Sequence, residues 1–401
     1  MDNAFCTHRL HFRQFLSAIV PCILIFQIFF CVICWADTTN EANEVKLARK
    51  ALLEITVQDS LDTRVPPQAM SAISRFKTSI EKLVKAYLKD LPANQAPDTK
   101  RIQEDLNRLI DAQNMPLKAS ESQPFGQEFG IEVGFISDSR RLLHMKAVFS
   151  IACGQDSILM IFQPEGDCWK EVLNWQSEPY KAVDGAFNMF QYAISPAEPS
   201  GNWYVLGADI PAWCSSCWGT LRYYALRPTD NSTHPVVLLK DWGPLYRCND
   251  NEWEFKLVAN QNTFELRFPG NSIDVEILIR DHLRRFEINK GTVSRVEPVA
   301  LSARDFVDEW IVSSWQEAAK WCTDKDCAKL KKEHIKLNEL RKQEGGLQFG
   351  AINKCQKASD TVEVELLHST GEEFSRYFLV KQHNDYKMLR ISSRPDFDLC
   401  N

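Results

Sequence analysis

Cys214 and Cys217, two residues apart and framed by Trp213 and Trp218, are the densest group of reactive side chains in the sequence. A Cys-x-x-Cys pair performs thiol–disulfide exchange when a helix N-terminus lowers the pKa of its first thiol. It holds zinc when a second pair stands at finger spacing. Here Trp218-Gly219-Thr220 leads into Leu221-Arg222-Tyr223-Tyr224-Ala225, an apolar and aromatic strand pattern, and Cys322 and Cys327 lie in a later segment of different character. The expected role is therefore structural, a disulfide within the pair or to Cys168 or Cys248. Acid–base and nucleophilic signatures are sparser still. The eight histidines are scattered singly, and no His-Glu-x-x-His, Gly-x-Ser-x-Gly or Gly-x-x-x-x-Gly-Lys-Ser/Thr motif occurs. Asp281-His282 ahead of Arg284-Arg285 reads as a satisfied surface cluster. Asp305, Asp308 and Glu309 read as one solvated helix face, although in a cone-shaped fold an inward acid there would serve as a base. No catalytic residue, metal site or cofactor is assigned.

The order Trp213, Cys214, Cys217 resembles the active site of thioredoxin-like oxidoreductases, and that resemblance implies disulfide exchange. It covers this short motif only and lacks the helix that the chemistry needs. Aromatic side chains offer a second kind of site. Trp169, Trp175, Trp203, Trp213, Trp218, Trp242 and Trp253 crowd one stretch together with Tyr192, Tyr204, Tyr223 and Tyr224. Flat aromatic faces bind sugar rings and peptide side chains, and they equally fill cores. Trp203, Trp213 and Trp218 fall near turns, where a rigid sheet presents side chains to partners. They are the binding residues expected. With 47 Lys and Arg against 53 Asp and Glu, the net charge of −6 excludes a nucleic-acid binder that works by neutralising phosphates. The partner expected is a protein, a peptide or a polysaccharide.

The elements that must position these residues change character along the chain. Arg9 and Arg13, an apolar run from Phe15 to Trp35, and Ala36 before Asp37 make a secretory signal over 1–36, cut near Asp37. The run is also long enough for an uncleaved membrane anchor, with the body outside the cytoplasm in either case. Of 13 cysteines, four (Cys6, Cys22, Cys31, Cys34) fall in this segment. The remaining nine, Cys153, Cys168, Cys214, Cys217, Cys248, Cys322, Cys327, Cys355 and Cys400, are disulfide candidates in an oxidising compartment, with at least one left over. Asn231-Ser232-Thr233 is a glycosylation sequon.

From 37 to 115 the period is helical. Leu47, Ala51, Leu52 and Ile55 give one stripe, and Ala69, Ile73, Phe76, Ile80, Leu83, Val84 and Tyr87, opened by Pro66-Pro67, give the next. Ile102, Leu106, Leu109 and Ile110 give a third. A linker occupies 116–125. From 126 to 300, short apolar runs between Gly, Pro, Asn and Asp read as antiparallel strands. Three hairpins recur in this block: Ile158 to Phe162 with Trp169 to Trp175, Leu221 to Leu226 with Val236 to Leu239, and Leu283 to Ile288 with Val293 to Val296. The rhythm suggests four-stranded propeller-like units, with a β-sandwich as the competing architecture. From 301 to 401, capped helices at Ser302 and Ser314 and a third over 324–342 precede a four-stranded meander, an α+β order that looks like the NTF2-like fold. The fold expected is multi-domain α+β. The function expected is an exported, non-enzymatic binding or interaction protein that uses the β domain as its recognition surface. The alternatives are a hydrolase or isomerase with its site in the C-terminal α+β domain, and a disulfide oxidoreductase.

Overall fold

The computed structural model describes residues 20–55, 63–111, 125–213, 216–230, 232–246, 255–275, 277–296, 300–323, 327–342, 346–368, 375–383 and 385–400. No side chain of the apolar run of the expected signal is described, and most of the expected linker, Cys214, Cys248 and Asn231 lie outside the described residues. Among the described residues, no helix is long and apolar enough to cross a membrane. The chain divides into two compact units. Unit 1 comprises 1–190, 209–215 and 228–236, and unit 2 comprises 191–208, 216–227 and 237–401.

In unit 1, α1 (Val20–Leu53), α2 (Pro67–Lys89) and α3 (Thr99–Leu109) precede a sheet of β1 (Phe129–Ile136), β2 (Leu142–Ile151), β3 (Gly154–Glu165) and β4 (Cys168–Gln176). Pro67 starts α2 where a missing N–H costs nothing, and the Asp98 side chain caps α3 by accepting from the Arg101 N–H. The second and third apolar stripes are core, whereas in the first Leu52 is buried but Leu47 is 55% exposed, and α1 turns Ala42, Val45 and Ala48 inward instead. Leu52, Ile73, Phe76, Ile80, Leu83, Ile102 and Leu106 bury against Phe129, Met145, Phe149 and Met160. The Phe76 ring meets Phe129 and Phe149 edge-on at 4.8 and 5.2 Å. Polar side chains of α3 also cover the β1 edge. Asn107 exchanges two hydrogen bonds with the Ile131 backbone, and Gln103 accepts from the Val133 N–H. An edge so occupied is closed to further strands.

The β block contains two further four-stranded sheets. One orders β5 (Gln191–Ile194), β6 (Val205–Asp209), β7 (Trp218–Thr229) and β8 (Ser232–Tyr246), and the other β9 (Lys256–Ala259), β10 (Thr263–Asn271), β11 (Ile279–Asn289) and β12 (Thr292–Arg295). All three sheets are meanders in which each strand neighbours the next in sequence. The three hairpins picked out by rhythm are the last two strands of each sheet. This is the order of propeller blades, and it lacks the crossovers that a Greek-key sandwich requires.

The C-terminal part of unit 2 runs α4 (Ala303–Val312), α5 (Trp315–Lys320), α6 (Cys327–Leu340), then β13 (Leu347–Lys354), β14 (Thr361–His368), β15 (Ser375–His383) and β16 (Asp385–Ser392) in meander order, and α7 (Phe397–Cys400). Ser302 and Ser314 cap α4 and α5 through the N–H groups of Asp305 and Glu317. The helices bury Phe306, Trp310, Trp321 and Leu337 against Val364, Phe378 and Met388. Cys355 and Cys400 are joined by a disulfide that ties α7 to the end of β13.

Candidate functional site

One turn of α2 places a lysine inside its own apolar stripe. Lys77 sits four residues after Ile73 and three before Ile80, so it points with them into unit 1 and is buried. Its ammonium lies 2.7 Å from Oδ2 of Asp156 in β3, whose side chain is wholly buried. Ser177, one residue past β4, stands between them. Its Oγ accepts from Lys77 at 2.6 Å and lies 3.1 Å from each Asp156 oxygen, to which it donates. The Lys77 ammonium also donates to the Ser177 carbonyl at 3.3 Å. Tyr180 donates its O–H to Asp156 Oδ2 at 3.1 Å, and the Phe187 and Ser157 N–H groups donate to Oδ1 at 2.9 Å each. Burial, and then the Asp156 charge, push the Tyr180 phenol well above its ordinary value, so it remains a donor.

This cluster forms part of the wall of a cavity of about 390 Å³ in unit 1, lined by Lys77, Ser177 and Tyr180 with Met70, Ile73 and Trp175 among others. The size falls in the range of small-molecule sites, and so does a lining of apolar and aromatic surface around a few convergent polar groups. Beside the cavity, a polar chain continues along β4. Gln176 donates to Glu81 at 2.6 Å, and Asn174 donates to Glu171 at 3.2 Å. Burial raises the Glu171 carboxyl, against the opposing Lys85 ammonium at 2.8 Å.

The residues expected from the sequence sit elsewhere. Trp203 is buried, which removes it from any recognition surface; it is core. Trp213 and Trp218 are 44% and 42% exposed, but Trp213 belongs to unit 1 and Trp218 to unit 2, where it meets Tyr246 edge-on at 4.9 Å. The three therefore form no cluster within either unit. Cys153 and Cys217 are disulfide-bonded, whereas Cys168, Cys322 and Cys327 are free thiols. The element that follows Cys217 is strand β7, so no helix N-terminus acidifies it. Among the described residues, no group of three or more His, Cys, Asp or Glu side chains is placed to hold a metal.

The acids of α4 are not a solvated face. Asp308 and Glu309 are buried, and β11 supplies their partners by strand alternation. Arg280 lies 2.9 Å from Asp308 and 2.6 Å from Glu309, and Arg295 of β12 pairs with the other Glu309 oxygen. Asp308 also accepts from Ser272 at 2.6 Å and from the Ile273 N–H at 2.9 Å. Burial alone would raise Glu309, yet the surrounding Arg295, His282 and Arg280 hold it well below the usual carboxylate range. His282 is likewise buried, stacked on Phe268 and within 3.5 Å of Glu309, and not at the surface. Held down by its arginines, Glu309 is a poor candidate for proton abstraction.

No family model matches the chain, and no curated protein matches it. Solved structures similar to it include the α-L-arabinanase of Penicillium chrysogenum with arabinobiose, at 12% identity and a TM-score of 0.24, and an α-L-arabinofuranosidase from Fusarium graminearum with an iminosugar inhibitor, at 10% and 0.25. Each match covers 66% of this chain and 62% of the other. Both matched proteins are named as enzymes, which stands against the expectation of a non-enzymatic binding protein. At such TM-scores neither lends this chain a substrate or a catalytic residue.

Proposed function

We propose that the chain is a hydrolase of the acyl-transfer class whose site is the unit 1 cavity, with Ser177 as nucleophile. The observation that carries this reading is the Ser177 hydroxyl, 2.6 Å from an ammonium and 3.1 Å from both oxygens of a carboxylate, on a residue that lines the cavity. A serine is a weak nucleophile until a neighbouring group takes its proton. Asp156 is the acceptor within reach, and the Lys77 charge stabilises the oxygen as it becomes anionic. Attack on an ester carbonyl in the cavity would form an acyl-serine and release the alcohol, and water would then release the acid and restore the hydroxyl. Trp175, Met70 and Ile73 supply apolar surface for the acyl group. This places the site away from the C-terminal domain, where Asp308 and Glu309 are spent on arginines.

The test is turnover of a panel of p-nitrophenyl esters by the full chain. Ser177→Ala should lower kcat/KM by at least about 10⁴-fold while the fold persists, since removal of a serine nucleophile costs that much or more. Unchanged turnover would overturn the assignment. A second reading is favoured by the number of donors on Asp156, which receives Lys77, Ser177, Tyr180 and two backbone N–H groups. On that reading the network is a structural tie between α2 and β3, and Ser177→Ala would alter stability but no reaction.

A further inference from the structure

Cys322 and Cys327 stand apart from the bonded cysteines and from the cavity. Cys322 follows the end of α5 and Cys327 opens α6, and their thiols fall against successive carbonyls of the same helix end. Cys322 Sγ donates to the Ala318 carbonyl at 3.5 Å, and Cys327 Sγ donates to the Ala319 carbonyl at 3.4 Å. The two acceptors are neighbours in the chain, so the two thiols converge on one helix end. Both are free thiols in a chain that elsewhere carries bonded cysteines, Cys355 with Cys400 among them.

Their surroundings differ in a way that sets an order of events. Cys322 is buried in the core of the C-terminal domain, and it is pinned by backbone bonding around Met388, whose N–H donates to the Trp321 carbonyl at 2.7 Å and whose carbonyl accepts from Thr323. Burial pushes its thiol up to about 12, with Cys327 as a further cause. Cys327 is only partly buried. An external reagent therefore meets Cys327 first, because access decides which thiol it can reach.

We propose that Cys322 and Cys327 are a redox-active modification site, a dithiol that closes to a disulfide by exchange with a small-molecule disulfide. The Cys327 thiolate attacks the reagent's S–S bond, forms a mixed disulfide and releases one thiol. Cys322, held at the same helix end, gives up its proton and attacks the Cys327 sulfur, displacing the second thiol. One S–S bond forms in the protein and one breaks in the reagent. The protein loses two hydrogens, and the reagent is reduced to two thiols. The product links the start of α6 to the end of α5 and leaves the Cys355–Cys400 bond untouched.

The test uses the full-length protein, oxidised glutathione and peptide mapping by mass spectrometry. The expected result is a cross-link between the Cys322 and Cys327 peptides that dithiothreitol reverses, with Cys168 outside it. In Cys322→Ser the second step is impossible, so glutathione should remain attached at Cys327. Should Cys322→Ser fail to fold, Cys327→Ser answers the same question: its Cys322 should resist maleimide until the protein is unfolded. Recovery of both residues as separately alkylated thiols after oxidation would overturn the proposal. So would a cross-link from either one to Cys168, or rapid native labelling of Cys322 in Cys327→Ser.

Discussion

Lys77 occupies a position whose apolar neighbours at helical spacing are Ile73 and Ile80, and it is tolerated there because Asp156 is waiting. Losing one partner of a buried ion pair leaves the other charge stranded. Lys77→Met should therefore cost about 3 to 5 kcal/mol in urea unfolding, and Lys77→Met with Asp156→Leu should recover most of it. Equal stability of Lys77→Met and the parent chain would contradict the burial of this pair. Histidines carry the second prediction at this scale. Burial pushes the His144 imidazole down to about 4, and burial lowers His282 and His334 as well. An unfolded chain protonates these residues near 6.5, where the folded chain does not. The unfolded state thus binds more protons below that value, and stability must fall as pH drops from about 6.5 towards 4. Glu309, depressed in the folded state, contributes stability above its unfolded value that is lost as pH falls further. Urea titrations at stepped pH should show this slope, and His144→Asn should flatten it between about 6.5 and 4; an identical slope in the variant would count against His144 as a source.

Strands and helices announce themselves by period and punctuation, and here the signals were strong. Pro66-Pro67 marked the start of α2, Ser302 and Ser314 marked caps, and turn residues separated the hairpins. The candidate site was not legible in the same way. Lys77, Asp156 and Ser177 are far apart in sequence, and only the packing of α2 on the β1–β4 sheet brings them together. One local signal existed, a lysine inside an otherwise apolar stripe. A polar helix face suggests solvent, but Asp308 and Glu309 of α4 face inward. Their burial could have been sought in β11, where Arg280, His282 and Arg284 alternate and so share one face of the strand. Register offers a test at this scale. Gly134 pairs directly with His144, and a Cβ on Gly134 would come within 2.1 Å of the His144 ring. Gly134→Val should displace that ring and destabilise unit 1 by about 1 to 3 kcal/mol. A wild-type melting temperature would mean that the β1–β2 register is not the one described.

At the scale of the whole chain, the sequence places helices, blade-like sheets and an α+β domain in order, and its charge of −6 argues against nucleic acid as a partner. Export with maturation near Asp37 is our proposal. It is supported by the basic flank and apolar run at the N-terminus and by bonded cysteines that suit an oxidising compartment. N-terminal sequencing of the secreted protein should read from about residue 37, and recovery of a full-length membrane species alone would remove the cleavage claim. The central claim is that Ser177 is an activated nucleophile at the wall of the unit 1 cavity. Treating the folded, full-length protein with a fluorophosphonate, which bonds covalently to activated serines, and mapping the modified peptide measures this most directly. The expected result is a single adduct on Ser177, absent in Ser177→Ala. An unmodified Ser177 in a protein that still hydrolyses esters, or an adduct on another serine, would contradict it.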